Sequence, residues 1–345
     1  LYGEKMSGAL ADEILQPGPG QLRALIVDGG NPVNALPDRP YAIEAMRALD
    51  LLVCIDPYLS ETAQLADYVL PPTMMLERPD MPLLFEKTAY PVPFTQYTGA
   101  VLAPPGPDVV EDWYVFWALA KRLGLELEFD GVPLDMTTAP STDELLEILA
   151  RTAPVPLAEV KQHARGRVFS LPAVTVEPPR PERRGNRFQL APVDVLAELA
   201  QVAAEAPDHN AWREQYRFPL RLSVRRSRTV INTSYRQMDF ARKRMPGNPL
   251  WMHPDDLSAA GIADGSRALL RSAHGELQVT VEADTSMRVG TVAICHGWGG
   301  SGGAEDSQSE LGVAINNIIP AGDYSEEING MPWFSAVPVE VLPFP

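Results

Sequence analysis

The sequence predicts an α/β domain with a parallel sheet, followed by a C-terminal β-barrel. Three short apolar runs alternate with helical segments between residues 24 and 72, an arrangement typical of βαβ units. After Phe218 the chain changes to short segments in which apolar and polar residues alternate. Turn-forming dipeptides separate these segments, a pattern that favours a closed or nearly closed barrel. At 345 residues the chain can hold two or three cores. We therefore expect a Rossmann-like sheet and then a barrel.

The first sheet is predicted from short apolar runs that end at turns. Branched apolar residues fill each of three runs, and each run stops at a polar or proline-containing turn, as buried parallel strands do. Amphipathic segments lie between the runs. The predicted strands cover residues 24–27, Leu51–Ile55 and 67–70, and the predicted helices cover residues 41–49 and 60–66.

Further helices are predicted downstream of this unit. The strongest covers residues 109–123, where Trp113, Phe116, Trp117 and Ala120 share a face and Gly124 ends the segment. Others are predicted over residues 142–151, 157–165 and 189–204. We assign residues 1–215 to the α/β domain with helical return segments and a linker, and residues 216–345 to the barrel.

The barrel prediction depends on four alternating segments. They cover residues 220–224, 267–271, 276–281 and 291–294. Turn signals at Asp264-Gly265, His274-Gly275 and Gly290 separate them.

Composition and charge exclude several classes of function. The net charge of −16 argues against general binding to nucleic acid or anionic membranes. No run of 18 apolar residues exists, so no membrane span is predicted. The two cysteines form no C-x-x-C pair, so an iron–sulfur cluster cannot be built from this chain alone. Residues 221–244 hold eight basic residues against one acid; this segment is either a solvated basic face or an anion-binding one.

Polar residues follow the first two predicted strands, where ligands bind in open α/β sheets. Gly29, Gly30, Asn31 and Pro32 come after the first strand, and glycine lets the backbone approach a ligand closely. Asp56 follows the second strand. Its carboxylate could accept two hydrogen bonds from a ribose diol or from the N1–H and N2–H₂ edge of guanine. The alternative is that the glycines only make a tight turn and Asp56 only caps the next helix.

Two sequence motifs carry a family resemblance. The pair VDGGNP and IDPYLSETAQLADYVLPP resembles the molybdopterin-dinucleotide oxidoreductases, the dimethyl-sulfoxide-reductase and formate-dehydrogenase superfamily. These enzymes show a G-x-N-P loop and then a D-x-[FY]-x-[ST]-E-T-A-x-x-A-D-x-V-L-P block. Residues 251–265 resemble a second family motif, M-H-P-x-D-A-x-x-x-G-I-x-D-G-D, with Ser266 where an acid is more usual. The resemblance implies that the barrel is of the double-psi type.

The resemblance also implies a cofactor and its contacts. The cofactor would be bis-molybdopterin guanine dinucleotide with molybdenum or tungsten. Residues 29–32 and Thr62 would lie along the dinucleotide, and Asp56 would read its guanine.

Two barrel loops are the remaining candidate contacts. Guanidinium forks, hydroxyls and amides suit phosphates and a pterin edge. In relatives, the equivalents of His296-Gly297 and of an N-x-N pair line the pterin; here Ala314 replaces the first member of that pair. The candidates are Arg225, Arg226, Asn232, Thr233, Ser234, Tyr235, His296 and Asn316.

The sequence thus predicts the cofactor-binding C-terminal half of a molybdenum or tungsten oxidoreductase. The protein ligand to the metal and any iron–sulfur cluster are expected in a preceding portion, so no catalytic residue is named and this half is expected to be inactive alone. Expected partners are that portion and an electron-transfer subunit, in the cytoplasm. Alternatives are a non-catalytic scaffold or subunit and a hydratase-like relative. A nicotinamide-dependent dehydrogenase is disfavoured because no G-x-G-x-x-G follows the first strand.

Overall fold

The structure is a computed structural model that describes residues 5–82, 92–170, 178, 189–204, 218–300, 312–322, 325 and 330–345. Its α-helices are α1 Leu10–Leu15, α2 Pro32–Ala35, α3 Arg39–Ala48, α4 Asp112–Leu123, α5 Thr142–Ala150, α6 Leu157–Val160, α7 Val193–Ala204, α8 Asp239–Arg244 and α9 Pro254–Ala260. Its strands are β1 Ala24–Asp28, β2 Leu51–Ile55, β3 Tyr68–Leu70, β4 Phe94–Thr95, β5 Glu128–Phe129, β6 Val132–Pro133, β7 Arg167–Val168, β8 Leu220–Arg225, β9 Leu250–Met252, β10 Arg267–Ser272, β11 Glu276–Ala283, β12 Thr291–Cys295 and β13 Ser335–Pro343.

The chain forms two compact units. The first comprises Leu1–Cys54, Leu59–Val69 and Gln189–Pro345, and the second comprises Ile55–Tyr58 and Leu70–Phe188. The first unit therefore holds most of the sheet together with the barrel. The domain boundary predicted after residue 215 lies outside the described residues and stays a prediction.

The predicted parallel sheet is confirmed, with strand order β1-β2-β3. The Asp67 amide donates to the Leu52 carbonyl over 2.8 Å, and the Asp56 amide to the Leu70 carbonyl over 3.2 Å. From the first of these bonds to the second, the residue number rises on both strands, as it does only when the strands are parallel. All three predicted strands lie within one residue of their expected limits.

Helix α3 covers the core of this sheet. It begins after Asp38, whose side chain accepts a hydrogen bond from the Tyr41 amide, as a helix N-cap does. Its buried side chains pack in one cluster with Leu52 and Cys54 of β2. By contrast, the helix predicted over residues 60–66 is wrong: only a single 3₁₀ turn, Ala63–Leu65, forms before β3 begins. The strand three residues later leaves no room for a longer helix.

The predicted barrel is confirmed as a closed six-stranded barrel with strand order β10-β11-β9-β12-β8-β13. Strand β12 runs parallel to β8, and β11 runs parallel to β9. Alternate residues of the strands fill its core, among them Leu222, Leu270 and Val281. All four predicted strands are present.

Two barrel strands were not predicted. Strand β9 has three residues, too few to show an alternation. Strand β13 contains Pro338 and Pro343, which argue against a strand because proline cannot donate to the ladder. Helix α8 was also missed; it lies inside the basic segment, whose charges hide its periodicity.

The helices of the second unit correct two expectations. Helix α4 ends at Gly124 in the left-handed conformation, as predicted. Its buried face centres on Trp117 and Ala120, whereas Phe116 is 41% exposed, against the prediction. Phe116 lies about 100° around the helix from Trp117, on the side away from Ala118, and so falls outside the buried face. The helix predicted over residues 157–165 is helical only in α6, and turns follow it.

Within the described ranges, no helix is both long enough and apolar enough to cross a membrane.

Candidate functional site

The loop after β1 adopts a conformation that requires glycine. Gly29 has φ +61°, a left-handed value, and a Cβ built on it would meet no atom within 4 Å. Gly30 packs against Val27, and Pro32 is the first residue of α2. The first glycine is therefore selected by its backbone angle, and space is open beside it.

Asn31 is nearly buried, and it fastens this loop to the segment after β2. Its side-chain amide donates to Glu61 Oε2 over 2.7 Å. Its Oδ1 accepts from the Thr62 hydroxyl at 2.8 Å and from the Thr62 amide at 3.2 Å. The Val33 amide in turn donates to the Thr62 hydroxyl over 3.1 Å. The polar atoms of Asn31 and Thr62 thus connect the loop after β1 to the segment after β2. Their contacts with a cofactor stay a prediction.

Glu61 and Arg236 form a buried ion pair that the sequence analysis missed. They are 2% and 1% exposed, and Arg236 Nη2 donates to Glu61 Oε1. Arg236 Nη1 donates to the carbonyl oxygens of Gly297 at 3.0 Å and of Gly299 at 2.9 Å. The positions of the two residues in the sequence could have drawn attention to them. Glu61 lies inside the S-E-T-A block, and Arg236 directly follows the predicted loop residue Tyr235.

Every carbonyl from residue 297 to residue 300 accepts a hydrogen bond from a side chain. Arg236 donates to the carbonyls of Gly297 and Gly299. Asn34 reaches the Trp298 carbonyl over a long 3.5 Å, and Arg39 donates to the Gly300 carbonyl. Because the donors come from the sheet region and the barrel, this loop joins the two parts of the first unit.

Asn316 lies at the same contact between sheet region and barrel. It is 1% exposed and donates to the Leu36 carbonyl over 2.6 Å. Its Oδ1 has no partner among the residues that the structure describes. A buried acceptor without a partner is costly, so this oxygen can receive a donor from a ligand.

The two predicted barrel loops emerge side by side. Arg225 at the end of β8 is register partner to Cys295 at the end of β12. These strands are parallel neighbours, so the segments that follow them leave the same end of the barrel. The structure thus brings residues 225–235 and 296–300 together, and their predicted contacts with a cofactor stay a prediction.

A small polar cluster connects these loops. Arg226 Nη1 donates to Asn232 Oδ1 over 2.8 Å, and His296 Nε2 lies 3.0 Å from the same oxygen. Burial of the ring, and secondarily the positive charge of Arg226, lower the pKa of His296 below its usual value of 6.5. Since the imidazole is then neutral near pH 7, it serves as a hydrogen-bonding group and not as a cation.

The loops approach each other so closely that Gly297 has to be glycine. Its φ is +83°, and an added Cβ would lie 1.9 Å from the Asn232 carbonyl oxygen. Asn232 and Tyr235 are themselves left-handed, with φ of +53° and +73°. Such clustered strain is typical of functional sites.

The other candidate residues of the 225–235 loop differ in their contacts and in their exposure to solvent. Arg225 pairs with Asp284 at 3.4 Å and stacks 4.1 Å above the Trp251 ring. Ser234 closes a tight turn by donating its amide to the Ile231 carbonyl over 2.8 Å. Thr233 is half-buried. The exposed donors of this surface include Arg226, the Ser234 hydroxyl and the phenol of Tyr235, which is 40% exposed.

Asp56 belongs to the second unit. Its Oδ1 accepts a hydrogen bond from the Tyr58 amide over 2.8 Å, a contact that ties the carboxylate to the next turn. Asp56 does not cap a helix, because the next helical turn, Ala63–Leu65, begins after Thr62. The predicted contact of Asp56 with guanine stays a prediction.

No group of three or more His, Cys, Asp or Glu in the described ranges stands close enough to hold a metal ion.

The fold combines a parallel sheet with a closed six-stranded barrel, and this donor set lies on the barrel loops. Comparison with family models identifies the family. Residues 5–122 match the molybdopterin oxidoreductase family, and residues 220–338 match the molydopterin dinucleotide-binding domain. The chain therefore belongs to the molybdopterin oxidoreductases.

Curated relatives agree with this assignment. The chain is 27% identical to acetylene hydratase of Syntrophotalea acetylenica, over 81% of this chain and 37% of that protein. It is 24% identical to the alpha subunit of an F420-dependent formate dehydrogenase 1 of Methanococcus maripaludis, over 83% of this chain and 40% of that protein. It is also 24% identical to trimethylamine-N-oxide reductase of Haemophilus influenzae, over 84% of this chain and 38% of that protein. The chain thus spans about two fifths of these relatives.

A solved structure supports the fold. Acetylene hydratase from Pelobacter acetylenicus superimposes with a TM-score of 0.73 at 20% identity, covering 98% of this chain and 46% of the other.

The described residues fit a molybdopterin dinucleotide. Such a ligand has phosphates that need cationic and hydroxyl donors, and ring edges that need amide-like partners. Arg226, Ser234 and Asn232 supply these groups on one surface, and the Asn316 oxygen supplies an acceptor without a partner among the described residues.

Proposed function

We propose that this chain forms the dinucleotide-binding portion of a molybdenum or tungsten oxidoreductase. The observation that supports this most is the pair of loops after β8 and β12. They are neighbours in a barrel matched by the dinucleotide-binding family model, and they present guanidinium, hydroxyl and imidazole groups together. When bound, the bis-molybdopterin guanine dinucleotide would supply a metal centre for two-electron redox chemistry.

The residues of this chain then act by binding and orientation. Arg226 would place a phosphate, and the neutral His296 would hydrogen-bond the ligand edge beside Asn232. On the sheet side, Gly29 leaves room for close approach, and Asp56 would accept from guanine. Two-donor recognition of this kind contributes about 1.5–3 kcal/mol for each charged hydrogen bond.

The proposal assigns the remaining parts of the enzyme to other segments. Cys54 and Cys295 are both buried within strands, which supports placing any iron–sulfur cluster outside this chain. The protein ligand to the metal, the substrate-binding residues and contacts with an electron-transfer subunit would also lie elsewhere. We therefore expect the chain to bind cofactor without turning over substrate by itself.

Cofactor content tests this proposal. The protein is purified from cells that synthesise the pterin cofactor, its metal is measured by mass spectrometry, and GMP released by acid is measured by chromatography. We expect bound molybdenum or tungsten together with GMP. Folded protein that carries neither pterin nor GMP would overturn the proposal and favour a scaffold.

A single substitution locates the site. Arg226→Ala removes one charged donor, so we expect about tenfold or greater loss of dinucleotide affinity. Arg288→Ala, in the exposed turn between β11 and β12, is the matched control and should leave affinity unchanged. Equal losses in both variants would show that the effect is general electrostatics.

A further inference from the structure

Arg236 is a buried cation with contacts in two directions. On one side its guanidinium donates to the carbonyls of Gly297 and Gly299, and on the other it pairs with Glu61. Burying a charge costs free energy unless every donor finds a partner, and an apolar pair of the same volume is often as stable. A stability requirement alone therefore does not explain why charges are used here.

The contacts of Glu61 lead to the first candidate loop. Its Oε2 accepts a hydrogen bond from the side-chain amide of Asn31 over 2.7 Å, and its Oε1 accepts one from Arg236. One carboxylate thus holds the loop after β1 with one oxygen and the barrel arginine with the other. The two loops predicted to contact the dinucleotide are joined through two side chains.

The arginine also fixes the direction of the glycine-rich barrel loop. A peptide unit is planar, with its C=O and N–H groups pointing in opposite directions. Holding the carbonyls of Gly297 and Gly299 therefore orients the amides of the residues that follow each of them. His296 precedes this loop, and Gly297 packs against the Asn232 backbone, so the orientation extends to the polar cluster on the surface.

We propose that Arg236, held by Glu61, is a positioning residue that aligns the 296–300 loop with the 29–32 loop for one shared cofactor. This inference rests on the proposed function, because it supposes that both loops contact the dinucleotide. A planar guanidinium donates from separate nitrogens in a fixed fork, so it can hold two carbonyls and a carboxylate in one set arrangement. Lysine offers only a compact ammonium with rotatable donors, and an apolar side chain has no donor. Preorganisation of this kind lowers the entropic cost of binding.

The decisive variant removes the charges and keeps the volume. Glu61→Leu combined with Arg236→Met replaces the ion pair by an apolar pair. We expect the variant to fold with a lowered melting temperature, because the Asn31 side-chain amide and the Gly297 and Gly299 carbonyls lose their partners. We also expect at least about tenfold faster release of the dinucleotide from the holoprotein. The release rate is measured from the amounts of GMP and pterin that pass through a dialysis membrane over time.

Two further variants serve as controls. Arg271→Met with Glu340→Leu makes the same change at an ion pair between β10 and β13, and it should leave the release rate unchanged. Arg236→Lys keeps a charge opposite Glu61 but offers a compact ammonium. Its release rate should lie between those of the unmodified protein and the apolar pair.

The outcomes separate this inference from the proposed function. If the unmodified protein holds no dinucleotide, the proposed function fails and the inference fails with it. If the unmodified protein holds dinucleotide and the folded apolar pair releases it at the same rate, only the inference fails, and the ion pair is structural. Should the apolar pair not fold, Arg236→Lys decides: an unchanged release rate in the folded variant overturns the inference.

Discussion

Two polar regions of the first unit use similar residues in opposite ways. The network of Asn31, Glu61, Thr62 and Arg236 is at most 9% exposed, and its hydrogen bonds run between protein groups. The cluster of Arg226, Asn232 and His296 lies at the barrel surface, with both cationic and neutral donors partly in solvent. The residues predicted to bind one ligand therefore divide by burial: Asn31 and Thr62 lie in a buried frame, whereas Arg226, Asn232 and His296 lie at the surface.

The division matters because the two regions respond differently to substitution. Removing a group from the buried frame leaves a desolvated partner, whereas water replaces a group lost from the surface. Stability measurements should therefore report on the frame, and ligand measurements on the surface.

The largest expected effect comes from breaking the frame at one partner. Arg236→Met leaves the Glu61 carboxylate buried without its counter-charge, so we expect the free energy of unfolding to fall by about 3–5 kcal/mol. Urea denaturation followed by circular dichroism measures the loss. Arg271→Met, at an exposed ion pair, should cost far less; similar losses in both variants would remove the distinction between the two regions.

The next effect tests the close approach of the two barrel loops. Gly297→Ala adds backbone strain at φ +83° and a Cβ that would lie 1.9 Å from the Asn232 carbonyl oxygen. We expect a loss of about 2–5 kcal/mol, the sum of left-handed strain and overpacking. Gly29→Ala has a similar angle but open space around it, so it should lose only about 1–2 kcal/mol. Equal losses, again measured by urea denaturation, would refute the steric argument.

A smaller loss is expected from a single hydroxyl of the frame. Thr62→Val removes the group that donates to Asn31 and accepts from the Val33 amide. The buried Val33 amide loses its acceptor, and Asn31 Oδ1 keeps only its bond from the Thr62 backbone amide, so we expect a cost of about 1–3 kcal/mol. Thermal and urea unfolding measure it. Thr280→Val, on an exposed face of β11, is the control and should change little; an equal cost there would contradict a specific role for Thr62.

The smallest effect concerns the pH response of the surface cluster. The pKa of His296 is lowered in the folded state, so the unfolded chain takes up the proton first. The contribution of His296 to stability is therefore complete above the unfolded pKa of about 6.5 and is lost as the pH falls toward the lowered folded value. NMR titration should place the pKa of His296 below 6.5, and Arg226→Ala should raise it. A pKa that Arg226→Ala leaves unchanged would remove the electrostatic link between the two residues.

Short-range sequence patterns predicted the individual elements well. Strands β1, β2 and β3 and the four alternating barrel strands were recognisable because apolar period and flanking turns are local properties. Strand β13 was not, since its prolines argue against a ladder and its pairing with β8 spans more than a hundred residues. The helix expected at residues 60–66 failed because the nearby strand β3, a tertiary constraint, overrode local capping signals.

The candidate site was predicted in part for the same reason. The motifs around Asn31 and Asp56 and the loop at 225–235 were visible as residue types in a recognisable order. The pairing of Glu61 with Arg236 was not, because 175 residues separate them and the motif that contains Glu61 does not indicate its partner.

The sequence alone determined the strands, the turns and the family motifs, since these depend on neighbours a few residues apart. Only the tertiary structure decided which polar side chains face each other and which face solvent. An arginine near a ligand loop has the same appearance in a sequence whether it contacts the ligand or holds the loop. Burial and hydrogen-bond geometry distinguish the two roles, and both arise only when distant segments pack together.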